Sequence, residues 1–240
     1  MLQLRNFTTA RVGLGAAGVS LPTREVLAFQ LAHARARDAV HAELDLAALA
    51  QELGDFVTAH SEAADRATYL RRPDLGRRLD AESRRHIQGH IKESPGKFDV
   101  AFVIADGLSA QAVQRHAPRI LELALTELNA AVWSIAPLVV VRQGRVAIGD
   151  EIGQILGADL AVVLIGERPG LSSPDSLGIY LTWQPRPGRT DAERNCISNI
   201  HADGLTYPAA VQHLVFLLTE LRNRRLSGVP CVPQTPLQLS

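Results

Sequence analysis

The stretch Lys97–Ala117, KFDVAFVIADGLSAQAVQRHA, reads as a strand, a turn and a helix in one piece. Phe98–Ala105 is a short apolar run rich in β-branched and aromatic residues, the pattern of a buried strand. Asp106-Gly107 is a turn signal. Ser109 then stands where a helix N-cap belongs, and a helical pattern runs on to Trp133 with an expected interruption near Pro118. A strand that feeds directly into a capped helix is the repeating unit of an α/β sheet. The turn itself has two readings. It is a plain strand-to-helix connection, or its free helix N–H groups hold polar parts of a ligand. Spacing alone does not separate them.

The same alternation continues downstream. Ile135–Val141 reads as a strand, Asp150–Gly157 as a short helix, and Leu160–Ile165 and Leu177–Trp183 as strands. Tyr207–Leu226 reads as a closing helix with Val211, Leu214, Leu217, Leu218 and Leu221 at apolar positions. The expected fold is therefore α/β, a mostly parallel sheet with helices flanking both faces. Such sheets bind ligands beyond the carboxyl ends of their strands.

Upstream the texture changes. From Thr23 to about Ile91 the chain reads as helix, with Thr23 as N-cap, Gly54 as a stop and a break at Pro73–Gly76. His33, Arg37 and His41 recur every fourth residue and share a face. Pro95-Gly96 is the turn signal that separates the halves. Residues 1–96 are thus expected to form a helical N-terminal domain, and residues 97–240 the α/β domain. The Pro-rich tail PCVPQTPLQLS is expected to be irregular.

Composition narrows the function. Lys+Arg and Asp+Glu both total 25, so the net charge is zero, which argues against a chain held on nucleic acid by phosphate neutralisation. Apolar residues reach 46%, enough for a packed core. The two cysteines, Cys196 and Cys231, make neither a disulfide framework nor a zinc site, and a reducing cytoplasm is expected. No run is long and apolar enough for a membrane span, and the N-terminus lacks a secretory pattern.

Gly13, Gly15 and Gly18 satisfy G-x-G-x-x-G, but LRNFTTA is a poor strand before them, and Ser-Leu-Pro delays the helix. A nucleotide-binding oxidoreductase domain is the alternative that this motif would support. His86 and His90 have an i, i+4 spacing that suits a metal, yet no third ligand is obvious, so an exposed helix end is expected and no metal site is assigned. GERPGLSSPDS (166–176) lacks the lysine of a phosphate loop, and Pro169 removes a backbone donor. Glu167 leaves the strand tip as an acceptor for ribose hydroxyls or amide N–H groups, or as half of a surface ion pair with Arg168 or Arg189. Cys196 lies among Asn195, Ser198 and Asn199. It reads as a structural cysteine, or as a thiol nucleophile that His201 would have to approach.

Together these segments resemble one family. KFDVAFVIADGLSAQAVQRHA, QGRVAIGDEIGQILGAD, VLIGERPGLSSPDSLGIYLTW and ERNCISNIHADGL are similar to the small subunit of ethanolamine ammonia-lyase. FTTARVGLGAAGVSLPTREVLAFQLAHARARDAVH and YLRRPDLGRRL are similar to its N-terminal half, so the resemblance covers nearly the whole chain in order. It implies an adenosylcobalamin-dependent lyase that converts ethanolamine to acetaldehyde and ammonia, in bacterial ethanolamine catabolism. It also implies a Rossmann-like domain in the C-terminal half. The implied partner is a large subunit that carries the substrate site and the radical chemistry. Six large and six small chains are expected, in the cytoplasm and within a bacterial microcompartment. The chain is expected to be active only with the large subunit, and no catalytic residue is assigned to it. The resemblance carries three cobalamin contacts onto this sequence: Val146 of GRV, Glu167 of GERPG and Cys196 of CISN. All three are expected at or just after strand ends. The motif D-x-H-x-x-G is absent, so cobalt is expected to keep the cofactor's own benzimidazole as its lower ligand.

Overall fold

The computed structural model describes residues 10–93 and 96–228. Pro95, Cys231 and the Pro-rich tail lie outside the described residues. Two helices, α1 (Thr23–His41) and α2 (Leu46–Leu53), lead to the short strand β1 (Val57–His60). Then come α3 (Arg66–Arg71), a 3₁₀ turn at Leu75–Arg77 and α4 (Ala81–Glu93). The C-terminal half runs β2 (Phe98–Ala105), α5 (Ala110–Ala130), β3 (Val139–Arg142), α6 (Ile148–Leu156), β4 (Ala158–Gly166), β5 (Leu177–Trp183), β6 (Arg194–Ile200) and α7 (Tyr207–Arg224).

Among the described residues the strands form one six-stranded sheet in the order β1-β3-β2-β4-β5-β6. The α/β expectation holds, with a correction to the sheet. β1, β3, β2 and β4 run parallel, but β4–β5 and β5–β6 are antiparallel, so the sheet is mixed rather than mostly parallel. The cause lies in the connections. A parallel return needs a crossover of about a dozen residues or more, usually a helix. Residues 167–176 contain no helix, and residues 184–193 contain only a 3₁₀ turn at Asp191–Glu193, so the chain returns antiparallel each time.

Two further corrections fall in the N-terminal half. The expected continuous helix to Gly54 breaks after His41, and Asp45 caps a new helix by accepting from Ala48 N at 3.0 Å. Within the segment expected to be helical, Val57–His60 forms a strand that pairs with β3. Thr23 is the first residue of α1 and makes no cap, the preceding position being Pro22. Conversely, α5 continues through the buried Pro118, and Ser109 does cap it, accepting from Ala112 N.

Each face of the sheet has its own core. On one face, α2, α5 and α7 cover Phe102 and Ile104 of β2, Val162 and Leu164 of β4, and Leu177, Ile179 and Leu181 of β5. On the other face, Ile87 of α4 and Ile148, Ile152 and Leu156 of α6 cover Ala101, Val103, Val139, Val141 and Val163. β2 and β4 are buried on both faces, which explains their uninterrupted apolar sequence. β6 has a different pattern. Ile197 and Ile200 are buried, while Cys196 and Ser198 are exposed, so one face of this edge strand is open beyond the buried Arg194.

Candidate functional site

The three candidate residues come from three different parts of the chain. Val146 lies in the turn between β3 and α6 and packs, half-buried, against the α6-side core. Glu167 is the first residue after β4. Cys196 lies within β6 rather than at a strand end, because the amide-rich segment around it is itself a strand. It is exposed there, its Cα partner is Tyr180 of β5, and the partner of Tyr180 is Val163 of β4. Tyr180 packs against the same core as Val146. All three candidates therefore face the α6 side of the sheet.

Glycines make the close approaches possible. The Oε1 of Glu167 would stand 2.9 Å from a Cβ at position 178, and a Tyr180 ring carbon 3.3 Å from it. A side chain at Gly178 would displace the carboxylate from its place beside Tyr180. A Cβ on Gly166 would lie 2.0 Å from the Ser109 carbonyl oxygen, and one on Gly107 2.3 Å from the Gly166 oxygen. Only glycine allows the β2 turn to cross the tip of β4 there.

Glu167 does not form the surface ion pair. Its carboxylate accepts from Ser176 Oγ at 2.5 Å and from Asn199 N at 3.4 Å. Arg189 instead pairs with Glu193 at 2.5 Å. The serine-rich half of the loop is tied down on its other side. Ser109 donates to the Pro174 carbonyl, and the Asp175 carbonyl lies 2.8 Å from His116 Nε2. That bond makes Nε2 the donor, burial lowers the pKa of the imidazole, and in the neutral ring Nδ1 accepts from Tyr207 Oη at 2.7 Å.

The Cys196 thiol is not activated. Loss of solvation pushes its pKa up, the Tyr180 hydroxyl opposes this, and the Glu167 charge raises it further. A nucleophilic thiol needs the opposite shift. His201 is engaged elsewhere, with Nε2 at 2.8 Å from Asn199 Oδ1 and 3.3 Å from Ser173 Oγ. Desolvation likewise raises the Tyr180 hydroxyl, which therefore stays protonated.

The turn bearing Val146 is held from several sides. Asp106 accepts from Gln143 N at 2.9 Å and from Gly144 N at 3.1 Å. Burial raises its pKa, and those donors and Arg66 work against that rise. The Asp106-Gly107 turn is thus a latch between strand ends, with its carboxylate bonded to protein. From the N-terminal half, Tyr69 donates to the Gly144 carbonyl at 3.1 Å, and Gly76 accepts from Arg145 N at 2.7 Å. Arg145 stacks on the Tyr69 ring at 4.1 Å. The YLRRPDLGRRL segment is therefore a cradle for the Val146 turn. From the sheet, Arg194 grips Asp150 in the first turn of α6.

Sequence reasoning misses Tyr180, Ser176 and the Asp150–Arg194 pair. The available signal for Tyr180 is a polar-tipped ring in an otherwise apolar strand. The pair joins residues 44 positions apart, which no local pattern reveals.

Two other motifs differ from the site geometries that their spacing suggests. Gly13, Gly15 and Gly18 all have positive φ, but residues 10–16 contain no strand, and α1 begins only at Thr23. That is not the strand–turn–helix of a dinucleotide site. His86 and His90 sit with ring centroids 5.1 Å apart on α4. Among the described residues no group of three possible metal ligands forms, and no helix is long and apolar enough to cross a membrane.

Known proteins match the chain along its length. The family model for the ethanolamine ammonia-lyase light chain (EutC) matches residues 1–231. The ethanolamine ammonia-lyase small subunit of Pseudomonas aeruginosa (strain LESB58) is 53% identical over 241 residues, covering 99% of this chain and 88% of that protein. The small subunit from Pseudomonas fluorescens (strain SBW25) is 51% identical over 241 residues, covering 99% of this chain and 87% of that protein. That from Pseudomonas putida (strain W619) is 53% identical over 232 residues, covering 95% of this chain and 85% of that protein.

Proposed function

The chain belongs to the ethanolamine ammonia-lyase light-chain family, and from that premise we propose that it holds adenosylcobalamin against a large subunit that converts ethanolamine to acetaldehyde and ammonia. The observation that carries this reading is the shared sheet face. Glu167, Tyr180 and Cys196 meet on it, and Val146 packs against the same core.

The residues suit the group. Cobalamin is a broad, flat ring with amide arms and a nucleotide tail. It needs an open surface with a few hydrogen-bonding groups, and the β5–β6 face offers one. Cys196 and Ser198 are exposed there, and Glu167 stands at its end. Glu167 would accept from an amide arm or a ribose hydroxyl. Val146 would pack against the ring edge or the benzimidazole. Cys196, with its proton retained, would act as a weak donor in a small gap. When bound, the cofactor supplies a carbon–cobalt bond whose homolysis starts radical chemistry. This chain's share is binding, orientation and exclusion of water.

The large subunit carries the substrate site in this reading, so the small chain alone is inactive. Leu27, Phe29 and Leu31 of α1 are 58%, 47% and 53% exposed, which supports an interface on the N-terminal helix. Six chains of each kind, in the cytoplasm and within a bacterial microcompartment, complete the proposed assembly. The test mixes this chain, the large subunit and adenosylcobalamin. Red colour that co-elutes with both chains and ammonia release that requires both are the expected results. Full activity of the large subunit without this chain would contradict the proposal.

A further inference from the structure

The α6 helix packs on the sheet through apolar residues. Its Ile148, Ile152 and Leu156 are buried against the strands. A Cβ on Gly149 would already lie 2.2 Å from Val163 Cγ2, so helix and strand are in direct contact. Yet Asp150 and Arg194 form an ion pair with both side chains only 2% exposed. A buried pair of this kind is weak evidence for stability, because desolvation offsets much of its attraction. What it does supply is geometry. Two parallel bonds fix both distance and angle between guanidinium and carboxylate.

The pair's position is informative. Val146 lies two residues before α6, and its carbonyl accepts from Gly149 N, the neighbour of Asp150, at 3.1 Å. Arg194 lies two residues before Cys196 on β6, so their side chains leave the same face of the sheet. The guanidinium is oriented independently of Asp150 as well. It donates to Thr182 Oγ1 at 2.9 Å and to the Arg189 carbonyl at 3.0 Å. A rigid, pre-aimed fork thus ties the strand that bears Cys196 to the helix turn that bears Val146.

We infer that the Asp150–Arg194 pair is a positioning device that sets the spacing between the Val146 turn and the Cys196 strand, and with it the fit of cobalamin on the open sheet face. The inference rests on the cobalamin reading above. Neither residue touches the cofactor in this arrangement.

Two variants test it without leaving an unpaired buried charge. Arg194→Lys keeps the charge but loses the fork. The double variant Asp150→Leu with Arg194→Met removes both charges and keeps the burial. Adenosylcobalamin binding is titrated spectroscopically on the complex with the large subunit, beside the wild type and Glu167→Ala. Both pair variants are expected to form the complex, to bind cobalamin roughly tenfold more weakly, as loss of an outer orienting contact does elsewhere, and to keep kcat at saturating cofactor. A role in stability alone would lower the yield of folded complex without changing the affinity of what remains. Wild-type affinity in both pair variants, with weakened binding in Glu167→Ala, overturns the inference and leaves the cobalamin reading standing. Wild-type affinity in all three removes that reading and the inference together.

Discussion

Arg194 and Asp150 meet through two parallel hydrogen bonds, Nη1 to Oδ1 at 2.6 Å and Nη2 to Oδ2 at 2.7 Å, in the gap between β6 and the first turn of α6. Removing one partner strands the other charge away from water. Arg194→Met alone should therefore cost about 3–5 kcal/mol, whereas adding Asp150→Leu should recover most of the loss. Chemical denaturation of the single and double variants checks this. Equal destabilisation by both would contradict it.

Gly149 sets how closely α6 lies on β4. A methyl there would stand 2.2 Å from Val163 Cγ2, with the helix and the strand both buried. Gly149→Ala should destabilise by about 1–3 kcal/mol, the range for overpacking a core, despite alanine's better helix propensity. The denaturation midpoint reads this directly, and an unchanged midpoint would mean that α6 can shift outward freely.

Gly178 offers a milder probe. An added methyl would meet the end of the Glu167 side chain at 2.9 Å, and the carboxylate can swing aside. Gly178→Ala should leave stability within about 1 kcal/mol, because the displaced group is flexible and polar. Cobalamin affinity of the complex should fall. Retained affinity would show that the Glu167 position is not what binding needs.

The fold is most legible in the sequence where strands are buried on both faces. FDVAFVIA and LAVVLI stand out as apolar runs because no solvent imposes alternation on them. β6, RNCISNI, is not legible as a strand for the reason that makes it interesting. Its open face is polar, and its covered face shows only a broken apolar pattern, with Ile197 and Ile200 three apart. β1 is hidden in the same way, as a four-residue edge strand whose Thr58 is exposed. The antiparallel turn of the sheet follows from helix-free connections. One of them is visible in the sequence at 167–176, but the βα alternation around it points the other way. Of the site, Glu167 can be argued from its place at a strand tip, whereas Val146 and Cys196 rest on the family resemblance.

His116 predicts a pH dependence. It is buried between Tyr207 and Asp175, and desolvation lowers its pKa, partly opposed by Asp175, while Arg115 and His201 lower it further. A histidine whose folded pKa is depressed binds its proton preferentially in the unfolded chain. Its contribution to stability is therefore complete above the unfolded value of about 6.5, and is lost as pH falls below that value through the folded pKa. The wild type should lose stability over this range, and His116→Gln should lose less. Parallel stability–pH curves for the two proteins would contradict the assignment.

Glu167 is where cofactor binding by this chain can be probed with a single side chain. The complex with the large subunit is titrated with adenosylcobalamin, wild type against Glu167→Ala and Glu167→Gln, following the cofactor's absorbance. Glu167→Ala is expected to weaken binding by roughly tenfold to a hundredfold, the loss of a charge-assisted hydrogen bond, with Glu167→Gln intermediate and subunit association unchanged. Cobalamin affinity equal to wild type in both variants would contradict the proposed role.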